Sequence, residues 1–218
     1  PSFAIGGTLT SSGSNAHKGT GDLFVAEADE SDGSFIEYHP NAAIVTNIEH
    51  DHVDFFAKPE DVTKAFDSFA STISRDGIFV YCADDAGSAA LGNSAELRPD
   101  LTVISYGTTE GSDLFIDSVN LLAMGSTARA LWKGRLIGTL SLQVPGSHNL
   151  LNAGAALAMG LALGAPAAEL LAGLASFHGA GRRFELKGTV HGIRVIDDYG
   201  HHPTEITVTL NAAKRYAG

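Results

Sequence analysis

The sequence predicts an α/β fold: a mostly parallel central sheet flanked by helices, with a small antiparallel hairpin region. Three observations predict it. Short apolar runs at 23–26 and 42–48 each end in a cluster of acidic residues, His or Asn, as buried parallel strands do when their loops carry function. Between residues 22 and 106 such runs alternate with helical periods. From Asp113 to Val144 the helical period gives way to strand-like runs punctuated by Gly134 and Gly138.

Taken in order, residues 1–21 are rich in Gly, Ser, Thr and Asn and read as loop, despite a short apolar patch at 3–5. The runs at 23–26 and 42–48 are the first strands. Over 59–73, Val62, Ala65, Phe66, Phe69 and Ile73 recur at a helical period behind Pro59, a residue suited to a first helical turn. Two further strands follow at 77–82 and 101–106, separated by a short helix near 86–91. Residues 113–144 supply antiparallel hairpins at a sheet edge. An Ala- and Leu-rich helix is expected after Pro145-Gly146 to about residue 163, and a second from 166 to about 176. Closing strands are expected at 184–190 and 193–196, and Pro203 opens a last helix. There is no internal repeat and no low-complexity linker.

With 218 residues and 44% hydrophobic composition, the chain can bury a substantial core as one large domain or two small ones. Its 14 Lys and Arg against 25 Asp and Glu give a net charge of −11, with no run of cations to track a phosphate backbone. Nucleic acid is therefore excluded as an expected partner. A nucleotide is not, because a bound metal cation neutralises carboxylates and phosphates together. Cys82 is the sole cysteine, which rules out an internal disulfide and suits a small buried thiol. No run approaches the roughly 18–20 apolar residues of a membrane span, and no leader pattern follows Pro1, so the expectation is a soluble cytoplasmic chain. Pro1 is not a natural initiator, and the chain reads as cut from something longer.

Five clusters hold residues able to carry chemistry. In the first, Glu27, Asp29, Glu30 and Asp32 crowd four carboxylates into six residues directly after an apolar run. It is either a solvated acidic loop or a Mg²⁺ site beside a phosphate. The second, residues 46–54, sets His50, Asp51, His52 and Asp54 at another strand exit, where they ligate metal, orient a substrate or stand exposed. In the third, His148, Asn149 and Asn152 open a helix, with the two carboxamides three residues apart on one face. They either cap that helix or pair with the donor and acceptor edge of adenine. The fourth is Gly179 to Glu185, whose Arg182-Arg183 pair offers a planar fork to phosphate oxygens or forms surface ion pairs. The fifth runs from Asp197 to Glu205, with Asp198 placed for a ribose hydroxyl and Tyr199 and His201 for nucleotide or substrate.

In their order EADESDGSF, TNIEHDHVDFF, PGSHNLLNA, GRRFE and DDYGHHPTE, these strings resemble the Mur ligase family, from Gly6 to about Lys214. They are most similar to the branch that adds L-alanine to UDP-N-acetylmuramate. The sister ligases that attach a murein tripeptide to the same sugar nucleotide differ more in the acidic string, and usually carry Phe-Ala where Tyr199-Gly200 stands. The resemblance implies that residues 1–218 are the family's central ATP-binding domain. The N-terminal UDP-binding domain, the P-loop with its first strand and helix, and the C-terminal domain would then all lie outside the chain. No G-x-x-x-x-G-K-[ST] string occurs in it.

The resemblance also implies a reaction in which ATP phosphorylates the sugar-nucleotide carboxylate and L-alanine displaces the phosphate. Carried over by motif, Glu27 would bind one Mg²⁺, with Glu30 as its rival, and His52 a second that holds the substrate carboxylate. His148, Asn149 and Asn152 would read adenine, Arg183 phosphate and Asp198 the ribose, while Tyr199 and His201 would line the junction with substrate. Without a P-loop lysine the chain alone is expected to bind ATP weakly and not to turn over. Two competing readings are a metal-dependent hydrolase built on His50, Asp51, His52 and the acidic loop, and a binding domain that lost its P-loop.

Overall fold

The computed structural model describes residues 1–95 and 98–217. Its first elements depart from expectation. Residues 1–21, read as loop, contain β1 (Ser2–Ala4) and β2 (Ala16–His17). Strands of two or three residues are too short to leave a period of their own. β1 pairs antiparallel with β2 and parallel with β3 (Phe24–Ala26), giving a three-stranded sheet in the order β2-β1-β3. The run at 23–26 is therefore no buried strand of the central sheet, and Phe24 and Val25 are 65% and 54% exposed. Apolar composition called for a strand there but carried no information about which sheet it would join.

The central sheet has six strands in sequence order. β4 (Ala42–Val45), β5 (Ile78–Cys82), β6 (Thr102–Gly107) and β7 (Leu114–Leu121) run parallel. β8 (Ser126–Trp132) and β9 (Arg135–Leu142) extend it antiparallel, as the hairpin texture predicted. Gly134 sits with Lys133 in the tight β8–β9 turn, where both residues take positive φ and the strands need that twist. Gly138 marks no strand end. It lies inside β9 opposite Ala130, beside a break in register, where a glycine suits a bulge.

Alternation along β5 divides the core. Phe79 and Tyr81 pack toward α1 (Pro59–Thr72) and α2 (Ala86–Ala95), with Phe69, Ile73 and Leu91. Val80 and Cys82 face the opposite side, against Ala155, Leu157 and Ala158 of α3 (Ser147–Ala162). Burial on both faces explains why this strand is apolar throughout. Leu140 and Ile116 carry the core under the hairpins toward Leu150, flanked by Leu171 and Leu174 of α4 (Ala167–Ala175).

β10 (Glu185–Val190) and β11 (Ile193–Asp197) form a separate antiparallel ribbon, followed by α5 (Pro203–Ala217). These expected closing strands do not join the central sheet, and Val190, Ile193 and Val195 remain more than half exposed, at 62%, 69% and 53%. Among the described residues, no helix is long and apolar enough to cross a membrane.

One buried hydroxyl joins the carboxyl ends of two strands. Ser88 on α2 is fully buried, accepts the Cys82 N–H at 3.0 Å and donates to the Val45 carbonyl at 3.0 Å. Ser88→Ala leaves both backbone groups buried without a partner. Urea unfolding should register a loss of about 1–3 kcal/mol, and an unchanged midpoint would show that these strand ends do not need the bridge.

Candidate functional site

A cleft of about 910 Å³ opens at the carboxyl ends of β4, β5 and β6, the edge where open α/β sheets bind ligands. Cys82 and Tyr106 contribute to its lining and are register partners on neighbouring strands. Burial raises the pKa of both the thiol and the phenol, so neither ionises near neutrality. Just past Cys82, Asp85 Oδ1 accepts the N–H of Ser88 at 2.7 Å and that of Ile48 at 3.1 Å. A single carboxylate thereby caps α2 and holds the loop leaving β4. Gly87 permits this closeness, since a Cβ there would stand 2.6 Å from the Ile48 carbonyl oxygen. Asp84 turns the other way and binds Thr108 and Thr109 through backbone and hydroxyl groups. Burial alone would raise its pKa, but those bonds outweigh it and hold the carboxyl below its usual value.

The acidic string divides by role. Asp29 and Asp32 turn back on their own loop, accepting the N–H of Ser31 at 2.8 Å and of Ser34 at 2.9 Å. The Ser31 and Ser34 hydroxyls first, and these N–H groups second, lower the pKa of both. Glu27 and Glu30 line the cleft instead. Glu27 Oε2 accepts the Gly6 N–H at 2.7 Å, and Glu30 Oε1 lies 3.5 Å from His52 Nε2. His52 adopts a left-handed backbone, φ 51°, unusual for a residue with a side chain. Its surroundings enforce it: Asp51 Oδ1 accepts the His52 N–H at 2.7 Å, while the N–H groups of Phe55 and Phe56 donate to its carbonyl. His50 does not reach the cleft; its Nε2 lies 2.9 Å from the Phe56 carbonyl oxygen and serves the loop.

The first turn of α3 supplies the next wall. Asn149 is not the helix cap, because Gly146 occupies that place with φ 100° and no room for a side chain against the His148 ring. The Asn149 carboxamide donates to the Pro145 carbonyl at 2.7 Å, leaving its oxygen for a ligand. Asn152, one turn along, also lines the cleft. His148 Nδ1 and Tyr106 Oη are buried here without a hydrogen-bond partner. Burial, with a smaller effect from Arg183, holds the His148 pKa below the usual 6.5 despite nearby Asp198.

Opposite stand Arg183 and Asp198. Arg183 Nη1 lies 3.6 Å from Glu205 Oε1, so its fork is partly engaged. Asp198 takes the N–H groups of Phe184 and Gly200, each at 2.8 Å, and the Thr209 hydroxyl at 3.1 Å. Three of roughly four carboxylate acceptor sites are then used in shaping the loop. Tyr199 and His201 are not among the lining residues. They meet edge to face at 5.4 Å, with the Arg182 guanidinium 4.8 Å over the tyrosine ring, and the expectation that they line the cleft is not met in this arrangement.

A family model of the Mur ligase middle domain matches residues 8–160, and one described as "Mur ligase, glutamate ligase domain" matches 182–218. The chain belongs to the Mur ligase family. The UDP-N-acetylmuramate--L-alanine ligase of Arthrobacter sp. (strain FB24) is 48% identical over 218 residues, covering 100% of this Mur ligase chain and 46% of that protein. Its counterpart in Mycolicibacterium smegmatis is 49% identical over 219 residues, covering 98% and 45%. Among solved structures, the UDP-N-acetylmuramate-alanine ligase of Thermotoga maritima superposes with a TM-score of 0.82 at 30% identity, over 99% of this chain and 48% of that one. A murein peptide ligase from Psychrobacter arcticus gives 0.70 at 27%, over 98% and 48%. The chain thus spans just under half the length of the relatives it matches.

Sequence reasoning missed Asp84, Asp85 and Thr209 of the cleft, and gave no role to Glu49 and Thr204 within its second and fifth clusters. The Asp84-Asp85 pair carried the signal already used elsewhere, carboxylates immediately after an apolar strand. Glu49 and Thr204 lay in singled-out strings, but their role shows only in a contact across 155 positions.

His148 also sets a pH dependence. Its folded-state pKa is lowered, so the unfolded chain binds the proton more tightly and stability falls as pH drops below about 6.5 toward the folded value. Thermal unfolding of His148→Asn from pH 7 to 5 should show a shallower decline than the parent, and parallel curves would contradict it.

Proposed function

We propose that this chain is the nucleotide-binding body of an ATP-dependent ligase that joins L-alanine to UDP-N-acetylmuramate in peptidoglycan precursor synthesis. One observation carries the reading: Glu27, His52, His148, Asn149, Asn152, Arg183 and Asp198, drawn from five separate strings, line a single cleft at the strand ends. The alanine-adding relatives, at 48–49% identity along the whole chain, favour L-alanine over the murein tripeptide as acceptor. Substrates of this kind place the reaction in the cytoplasm.

The chemistry is two displacements. A carboxylate oxygen of UDP-N-acetylmuramate attacks the γ-phosphorus of ATP, and the bond to the bridging oxygen breaks to release ADP. The alanine amine then attacks the acyl carbon, the carbon–oxygen bond to phosphate breaks, and the nitrogen gives up a proton. Phosphoryl transfer depends on positioning and charge neutralisation, which Mg²⁺ supplies when bound.

The donor set fits that ion. Mg²⁺ is held by one or two carboxylates together with substrate phosphates and water, and Glu27 and Glu30 offer two beside His52. Glu27 would hold the ion between phosphates, and His52 one at the substrate carboxylate. His148, neutral because buried, offers one ring nitrogen as donor and the other as acceptor. With the carboxamides of Asn149 and Asn152 it matches the mixed edge of adenine. Arg183 would meet phosphate, and Asp198 would use its remaining acceptor site for a ribose hydroxyl. Tyr199 and His201 would reach the substrate junction by turning in from the outer side of their loop.

The test is phosphate release by the gene product that carries this chain, with ATP, Mg²⁺, UDP-N-acetylmuramate and L-alanine, each left out in turn. Release should need all four. Glu27→Gln should lower it by about 100-fold or more, and Asn152→Ala should raise the KM for ATP roughly fivefold to tenfold. Release with the tripeptide in place of alanine would select the sister ligase, and release without ATP a hydrolase.

A further inference from the structure

The chain from 182 onward stands somewhat apart from the body of the fold. α5 makes at most fringe contacts with the strands and helices of the central sheet. Yet Thr204, Glu205, Val208 and Thr209 of this helix form a wall of the cleft. Two attachments hold that wall. At the base, residues 179–181 are clipped to the β1–β2 loop, with the Gly181 N–H donating to the Thr8 carbonyl at 2.7 Å and the Thr10 N–H to the Gly179 carbonyl at 3.1 Å. At the tip, the Thr204 hydroxyl donates to Glu49 Oε2 at 2.8 Å, joining the first turn of α5 to the loop leaving β4.

Glu49 suits that place chemically. Pro203 begins α5, so a carboxylate near its first turn meets the positive end of the helix dipole. Glu205 reaches back to the N–H groups of His201 at 3.0 Å and His202 at 3.3 Å, which firms the turn that Glu49 grips. His202 Nδ1 lies 3.6 Å from Glu49 Oε2 and 3.4 Å from the Thr204 nitrogen. The hydroxyl bond of Thr204 to Glu49 needs no charge on that ring.

We infer that Glu49 is a positioning residue. Its carboxylate docks α5 on the β4 exit loop, and so sets where Arg183 and Asp198 stand across the cleft from Glu27, Asn149 and Asn152. Arg183 follows α5 through Glu205, and Asp198 through the Thr209 hydroxyl. The inference draws on the proposed function only for what binds between the two walls.

Backbone amide exchange, followed by mass spectrometry without any ligand, tests it on the chain itself. Glu49→Ala and Thr204→Val should each speed exchange at residues 206–210 by about fivefold, the factor expected for one hydrogen bond. Strands β5 and β6 should be unaffected. Thr204→Ser, which keeps the hydroxyl, should restore the parent rate. The inference is overturned if both variants leave 206–210 unchanged, if β5 and β6 accelerate equally in Thr204→Val, or if Thr204→Ser behaves like the valine. None of these outcomes depends on the phosphate-release assay, so either claim can fail alone.

Discussion

Where parallel strands end, their last backbone groups and the first groups of the following helix must find partners inside the protein. In this chain Ser88 and Asp85 meet that need at the ends of β4 and β5. The hydroxyl spans both strands, and the carboxylate caps α2 while gripping the Ile48 N–H. The loop carrying Glu49 and His52 therefore starts from a fixed point. Asp51 then forces His52 into its left-handed backbone, which turns the imidazole toward Glu30. Without that pair beneath, that strained residue would have nothing rigid to be strained against.

The same logic explains how so acidic a chain tolerates its cleft. Asp29, Asp32 and Asp84 are each consumed by hydrogen bonds from nearby N–H and hydroxyl groups, which favour the charged form and keep these carboxyls ionised. Glu27, Glu30 and Glu49 keep oxygen atoms turned to the cleft. A ligand entering such a space meets carboxylates on both sides, with the Arg183 guanidinium set beside Glu205 and Asp198. Polyphosphate is welcome there only with a cation beside the carboxylates, which is why the acidic string and the nucleotide reading belong together.

The sequence carried the α/β alternation, the hairpins and five strings that meet in one cleft, because these depend on local period and on residues massed at strand exits. It failed where meaning is non-local. Phe24 and Val25 look like core yet belong to a small exposed sheet, since pairing partners leave no mark in a three-residue strand. The runs at 184–190 and 193–196 have strand composition, but only their exposure tells that they form a ribbon apart from the central sheet. Whether Asn149 caps its helix or faces a ligand is undecided by its type and position, and is settled only by Gly146 in the cap place, where the His148 ring crowds out a side chain. Tyr199 and His201 lie in a string whose other members face the cleft, but the bonds Asp198 and Glu205 make to that loop leave both rings outside.

A wall that packs thinly is a functional choice as well as a weakness. Had α5 buried a broad apolar face on the sheet, the cleft would be fixed at one width whatever ligand entered it. Held at its tip by one hydroxyl bond and a weak imidazole contact, α5 sits near the low-stability end of the structure, where local opening costs little. A difference of about 1 kcal/mol shifts an open-to-closed ratio roughly fivefold. Contacts that the proposed nucleotide would make with Arg183 and Asp198 on one side and Asn149 and Asn152 on the other would be of that order or larger. Binding can then close the cleft using energy from the ligand itself, and Glu49 decides the position to which it closes.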